Sequence, residues 1–134
     1  MGHRSLKPAS KVMYINGVTI RGKLVVAASG AVTSWNGYGI ASVTKESGDG
    51  QYTFVFSDTW NKLVGFNGSV MNASAAGLSV ELLSEDVDNT TTPVCVVQVG
   101  TAGDGTAADI ASGGTLFLEW HLMNSARPVG NTVT

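Results

Sequence analysis

The sequence predicts an all-β protein: an antiparallel β-sandwich or barrel, jelly-roll-like, with seven to eight short strands and one short helical turn. The first observation is that apolar and polar residues alternate in several short segments, as they do in strands with one buried face. The second is that turn-forming residues separate these segments, among them many of the 17 Gly. Strands at this spacing favour a sandwich or a barrel. At 134 residues, the chain has the length of one domain.

The chain divides into a basic N-terminal arm at residues 1–11, a single β domain at residues 12–129 and a flexible tail at residues 130–134. The arm is polar, and its basic side chains are Arg4, Lys7 and Lys11. The sequence has no apolar run as long as a signal peptide or a membrane span. We therefore expect a protein that is made and kept in a cytoplasm and has no membrane partner.

The first strands of the domain lie on either side of a turn. The dipeptide Asn16-Gly17 predicts a two-residue hairpin turn between strands at residues 12–15 and 18–26. In the second of these strands the apolar and polar side chains alternate, so that one face is buried and the other carries Thr19, Arg21 and Lys23. A further strand is predicted at residues 38–45.

The stretch at residues 48–70 holds three of the four Phe and organises the rest of the domain. A strand at residues 51–57 would place the rings of Tyr52, Phe54 and Phe56 on one face, which must then be buried. Asp58 follows as an expected helix N-cap. One helical turn is predicted at residues 59–64, and Gly65 would end it in the left-handed conformation.

Four further strands are predicted in the second half, at residues 68–72, 78–83, 93–99 and 115–124. The third is apolar on both faces, which is typical of a central strand. The loop at residues 100–114 is long and rich in small residues, so we expect a contact site or a variable segment there. The last strand has Leu116, Leu118, Trp120 and Leu122 on one face and Phe117, Glu119, His121 and Met123 on the other. This second face is mixed, as many subunit interfaces are.

The charges are few and unevenly distributed. Charged residues make up 13% of the chain, and its net charge is −2. Residues 1–45 contain six basic and no acidic residues, whereas the remainder contains two basic and ten acidic residues. This asymmetry suits head-to-tail contact between copies or docking on an acidic surface. The alternative interpretation is that the basic arm is exposed to solvent and binds nothing. The acidic body argues against nucleic-acid binding.

The sequence indicates no catalytic, cofactor or metal site. Cys95 lies in an apolar segment, where a core position is a simpler interpretation than a reactive thiol. Glu119 and His121 share a strand face but lack a third ligand at matching spacing, so we interpret them as an exposed or interfacial pair. The acidic loop around residues 86–89 lacks the glycine and closing Glu of a calcium loop. Ordinary turn chemistry is expected there, and we expect no enzyme.

Three segments carry a resemblance to a known family. They are GDGQYTFVFSDTWNKLVGFNGSV at residues 48–70, LSVELLSEDV at residues 78–87 and GGTLFLEWHLMNSARPV at residues 113–129. Over roughly residues 17–129, the chain resembles the small structural proteins of tailed bacteriophages. The resemblance implies a capsid decoration or cement protein, or a part of a head or tail fibre. The sequence pattern of that family includes no catalytic residue.

The leading hypothesis is a virion protein that binds the major capsid protein of the phage head and stabilises the head without catalysis. The alternative is a fibre module that binds a host receptor. Low charge and the mixed face predict self-association, and the resemblance favours a homotrimer, because decoration proteins occupy three-fold positions. The residues that we expect to contact the capsid or another subunit are Arg4, Lys7, Lys11, Arg21, Lys23, Phe117 and Met123.

Overall fold

Two four-stranded antiparallel sheets make up the part of the chain that the computed structural model describes, residues 17–72 and 77–123. Sheet A has the strand order β2-β1-β8-β5, and sheet B has the order β3-β4-β7-β6. The strands are β1 (Gly17–Val26), β2 (Val32–Asn36), β3 (Ile40–Lys45), β4 (Gln51–Phe56), β5 (Lys62–Met71), β6 (Leu78–Asp86), β7 (Val94–Thr101) and β8 (Thr115–Met123).

The two sheets form a sandwich around a shared hydrophobic core. Eight antiparallel strands confirm the all-β prediction, and of the two predicted architectures the sandwich is correct, since the sheets of the described residues do not close into a barrel. The jelly-roll-like arrangement is not confirmed. The strand predicted at residues 12–15, the arm at residues 1–11 and the tail at residues 130–134 lie outside the described residues.

Aromatic rings fill the centre of the core. Trp120 of β8 is fully buried, and its ring centroid lies 5.0 Å from that of Phe54 and 5.2 Å from that of Phe56. The rings are tilted or edge-on to one another, as aromatic pairs prefer. Phe66 of β5 lies 5.9 Å from Trp120. The predicted burial of Tyr52, Phe54 and Phe56 together with Leu116, Leu118 and Trp120 is confirmed.

β7 is an inner strand of sheet B, between β4 and β6, as its apolar sequence predicted. Its inward side chains Cys95, Val97 and Val99 are fully buried. Burial, with a smaller contribution from the nearby charge of Glu85, raises the pKa of the Cys95 thiol to about 12. The prediction that Cys95 is a core residue is therefore confirmed.

The helical turn predicted at residues 59–64 is wrong. From Lys62 the chain runs as strand β5, which pairs with β8 and has a bulge between Leu63 and Gly65. Gly65 does not adopt the left-handed conformation. A single helical turn is marginal on its own, whereas pairing with β8 lets β5 pack Leu63 and Phe66 against the core. In the described residues the short 3₁₀ turn is instead Ala28–Gly30.

The long loop between β7 and β8 is a packed part of the sandwich. Its Ile110 is fully buried. The Ala108 N–H donates to the Val99 carbonyl at 3.0 Å, and the Gly50 N–H donates to Asp109 Oδ1 at 2.7 Å. The loop therefore closes one end of the core. Two strand boundaries also differ from the prediction, because β5 includes the segment at residues 68–71 and β6 extends to Asp86.

Candidate interaction surface

The side of sheet A that points away from the core is the candidate site, and we call it the outer face of sheet A. The antiparallel pairing sets Lys23 opposite Phe117 and Arg21 opposite Glu119, with Ser69 and Asn67 completing these rows on β5. Side chains that face each other across neighbouring strands contact one another. Met123 lies further along β8, in the row of Lys62.

Four of the seven predicted contact residues thus lie on one surface: Arg21, Lys23, Phe117 and Met123. The sequence placed the first two on one strand and the last two on another. Pairing of β1 with β8 brings the two strands side by side. The other three predicted contact residues, Arg4, Lys7 and Lys11, lie outside the described residues.

A polar cluster occupies the middle of this face. The Arg21 Nε donates to Glu119 Oε2 at 2.9 Å, and His121 Nε2 lies 2.9 Å from Glu119 Oε1. Thr19 Oγ1 lies 3.1 Å from the other ring nitrogen of His121. The hydrogen bond from Arg21 is the main reason why the pKa of Glu119 lies below its usual value. Glu119 is therefore held as a carboxylate between two partners.

The cluster contains two side chains of the types that bind metals, Glu119 and His121. Within residues 17–72 and 77–123, no group of three or more His, Cys, Asp or Glu side chains could hold a metal ion. Glu119 and His121 are a partly exposed, hydrogen-bonded pair, which is one of the two settings that the sequence suggested for them.

Apolar surface lies next to the cluster. Phe117 is 39% exposed, and Lys23 Nζ lies 5.9 Å from its ring centroid, at the limit of a cation–π contact. Met71, near the end of β5, is 57% exposed. A shallow depression of about 410 Å³ beside Phe117 is lined by side chains that include Lys23, Asn36, Asn67 and Ser69. The face combines apolar and basic groups, and it includes aromatic, Met and Arg side chains, which are enriched at protein–protein interfaces.

Sequence reasoning missed Tyr38. Its side chain is 99% exposed in the turn between β2 and β3, where a strand was expected to begin. Two glycines hold this turn close to sheet A: a Cβ on Gly37 would lie 2.6 Å from the Arg21 carbonyl oxygen, and Gly39 has a φ of +88°. The Gly-Tyr-Gly sequence was the available signal, because Gly on both sides of an aromatic residue favours a turn over a strand.

Comparison with known proteins gives no match to this chain: no family model, no curated protein and no solved structure is detectably similar. The described residues also contain no helix long and apolar enough to cross a membrane.

The second distinctive surface is the β6 edge, by which we mean strand β6 at the margin of sheet B. It carries Glu81, Glu85 and Asp86, all exposed, and no basic residue. Leu83 is 42% exposed at a bulge between Leu82 and Ser84. In the following loop, Asn89 Oδ1 accepts the backbone N–H groups of two threonines at 2.9 Å. This is the ordinary turn chemistry that the sequence predicted.

Proposed function

We propose that this protein is a bacteriophage virion structural protein, specifically a capsid decoration (cement) protein. In this role it binds the major capsid protein on the head surface and stabilises the head without catalysis. It assembles in the cytoplasm of the bacterial host and remains in the virion. The sequence resemblance supports this proposal, and so does the surface chemistry of sheet A. We also propose that the strand connections are jelly-roll-like.

The observation that carries the proposal is the outer face of sheet A. Phe117 and Met71 expose apolar surface beside the charged side chains of Arg21 and Lys23. These side chains project from paired strands, so a partner would bind them without ordering a loop first. In this proposal the face is the subunit contact of a homotrimer, with Met123 at its margin.

Contact with the capsid is assigned to the basic arm. Arg4, Lys7 and Lys11 would attract an acidic patch of the capsid surface, and this attraction should weaken as salt is added. Binding by the arm and self-association by sheet A are separate steps, so each can be disrupted without the other.

Labelled electron microscopy tests the location. A gold label on the C-terminus of the protein in intact virions should decorate the head surface. Purified protein should also bind to heads that lack it and raise the temperature at which they break open. A label on the tail, or heads of unchanged thermal stability after binding, would contradict the decoration role.

The second candidate is a head- or tail-fibre module that binds the host receptor, and Tyr38 favours it. A 99% exposed Tyr on a turn held by two glycines is well suited to anchor a partner, because Tyr is enriched among residues that dominate binding energy. Tyr38→Ala should then slow phage adsorption to host cells while head stability stays unchanged. A variant that adsorbs normally would remove the support for this candidate.

A further inference from the structure

We propose that the outer face of sheet A binds the β6 edge of a second copy of this chain, head to tail. This inference rests on the self-association in the proposed function and goes beyond it by naming the two surfaces that meet. It is carried by their opposite charge, by an exposed apolar residue on each and by their positions on the sandwich.

The outer face of sheet A is basic. Its outward rows contain Arg21, Lys23 and Lys62 as basic residues and Glu119 as the acidic residue. Because Arg21 is already paired with Glu119 at 2.9 Å, the positive charges left for a partner are those of Lys23 and Lys62. Neither lysine forms an ion pair with another described residue.

The β6 edge has the complementary character. Glu81 and Glu85 lie two residues before and two residues after Leu83. The bulge between Leu82 and Ser84 shifts the register, so that Glu81 pairs with Gln98 on the outer side of sheet B and Glu85 pairs with Cys95 on the side of the core. Both side chains are exposed at this margin, and none of the acidic residues of β6 forms an ion pair with a described basic residue. An edge with an exposed Leu and acidic residues on both of its sides therefore matches a face with an exposed Phe beside basic residues. Complementary charges of this kind fix the orientation of two partners.

The alternatives within a self-association are less favourable. Two copies that met through the same face of sheet A would bring Lys23 and Lys62 of one copy towards those of the other. Two copies that met through β6 would oppose acidic residues. Like charges brought together at an interface are unfavourable. The charge pattern thus selects a contact between unlike surfaces.

The position of the two surfaces is compatible with a closed ring. β5 and β6 contact each other, so the β6 edge lies at the margin of the sandwich next to β5, beside sheet A. The face and the edge are therefore neighbouring sides of the molecule. A head-to-tail contact between neighbouring sides turns each copy relative to the last, and such contacts close into rings when the rotation allows.

Charge reversal with rescue tests the pairing. Lys23→Glu with Lys62→Glu makes the face of sheet A acidic, and Glu81→Lys with Glu85→Lys makes the β6 edge basic. Each pair alone should weaken self-association at least about tenfold, measured by sedimentation equilibrium, because like charges then meet. The chain with all four substitutions should regain the association of the unaltered protein, since the charges are opposite again.

A matched control separates this effect from net charge. Asp49→Lys with Asp58→Lys makes the same charge change as the β6 variant at exposed residues outside the strands, and it should leave association unchanged. Circular dichroism and urea unfolding establish that every variant is folded.

Three results would overturn the pairing: a four-substitution chain as weak as either pair, a control that weakens association equally, or an unaltered protein that stays at 13.8 kDa at every concentration. Binding to phage heads, measured in parallel, keeps the outcomes distinct. A monomer that still binds and stabilises heads would refute the pairing and leave the decoration role standing.

Discussion

Truncation of Phe54 to Ala removes a ring from the middle of the core. Phe54 is 1% exposed, and its ring centroid lies 5.0 Å from that of Trp120. Removal of a fully buried Phe usually lowers the free energy of unfolding by about 3–5 kcal/mol, because buried apolar area is lost and a cavity remains. The tilted contact with Trp120 places the expected loss in the upper part of that range, since aromatic pairs add about 0.5–1.5 kcal/mol.

Urea denaturation followed by far-ultraviolet circular dichroism measures this loss. It should be performed at a concentration at which both proteins have the same mass, because self-association adds to apparent stability. Val55→Ala on the same strand is the matched control. Val55 is half-buried on the opposite side of sheet B, so its truncation should lower the free energy of unfolding by about 1 kcal/mol or less. A loss below about 1 kcal/mol for Phe54→Ala would refute the assignment of the inward face of β4.

Three further predictions concern the surface, the arm and the thiol. Phe117→Glu should dissociate the oligomer without unfolding the subunit, because it removes the exposed ring and places an acidic group opposite the acidic β6 edge. Light scattering coupled to gel filtration measures the mass, and an unchanged mass would show that the subunit contact lies on another face. Deletion of residues 1–11 should leave the domain folded but weaken its binding to bare heads and remove the salt dependence of that binding; unchanged attachment would contradict the role of the arm. Because burial raises the pKa of Cys95 to about 12, the thiol stays protonated through neutral pH and should react with iodoacetamide at pH 8 only after denaturation. Rapid labelling of the folded protein would show that this part of the core opens.

Most strands could be predicted because the signal for them is local. In β4, and in β8 from Leu116 onwards, buried and less buried side chains alternate, so period two alone identifies the buried residues. The first part of β5, residues 62–67, could not be predicted, since its sequence also fits a turn and a short helix. Its pairing with β8 decides the outcome, and the two strands are far apart in the chain. Tyr38 was misplaced although the glycines on both sides of it favour a turn, and the tight approach of Gly37 to β1 shows where that turn lies.

The candidate surface was predicted in pieces and assembled by the fold. The alternation of apolar and polar residues placed Arg21 and Lys23 on the solvent-exposed face of one strand. It placed Phe117 and Met123 on the mixed face of another. That these two sides form one surface depends on the β1–β8 pairing, which no local pattern reveals. The sequence alone could not show that β6 lies at the edge of sheet B. A strand at the margin of a sheet and one in its middle can have similar sequences, so only the strand order identifies this acidic edge.

The central position of β8 in sheet A has a consequence for synthesis of the protein. β8 lies between β1 and β5 and supplies Trp120, yet it is the last of the described strands to leave the ribosome. β1 has its other neighbour β2, but β5 pairs within its sheet with β8 alone. Sheet A therefore cannot be completed until β8 has left the ribosome, and contacts so distant along the chain form slowly. A nascent or prematurely terminated chain would expose the aromatic side of sheet B, so chaperones should retain it until residue 123 has emerged.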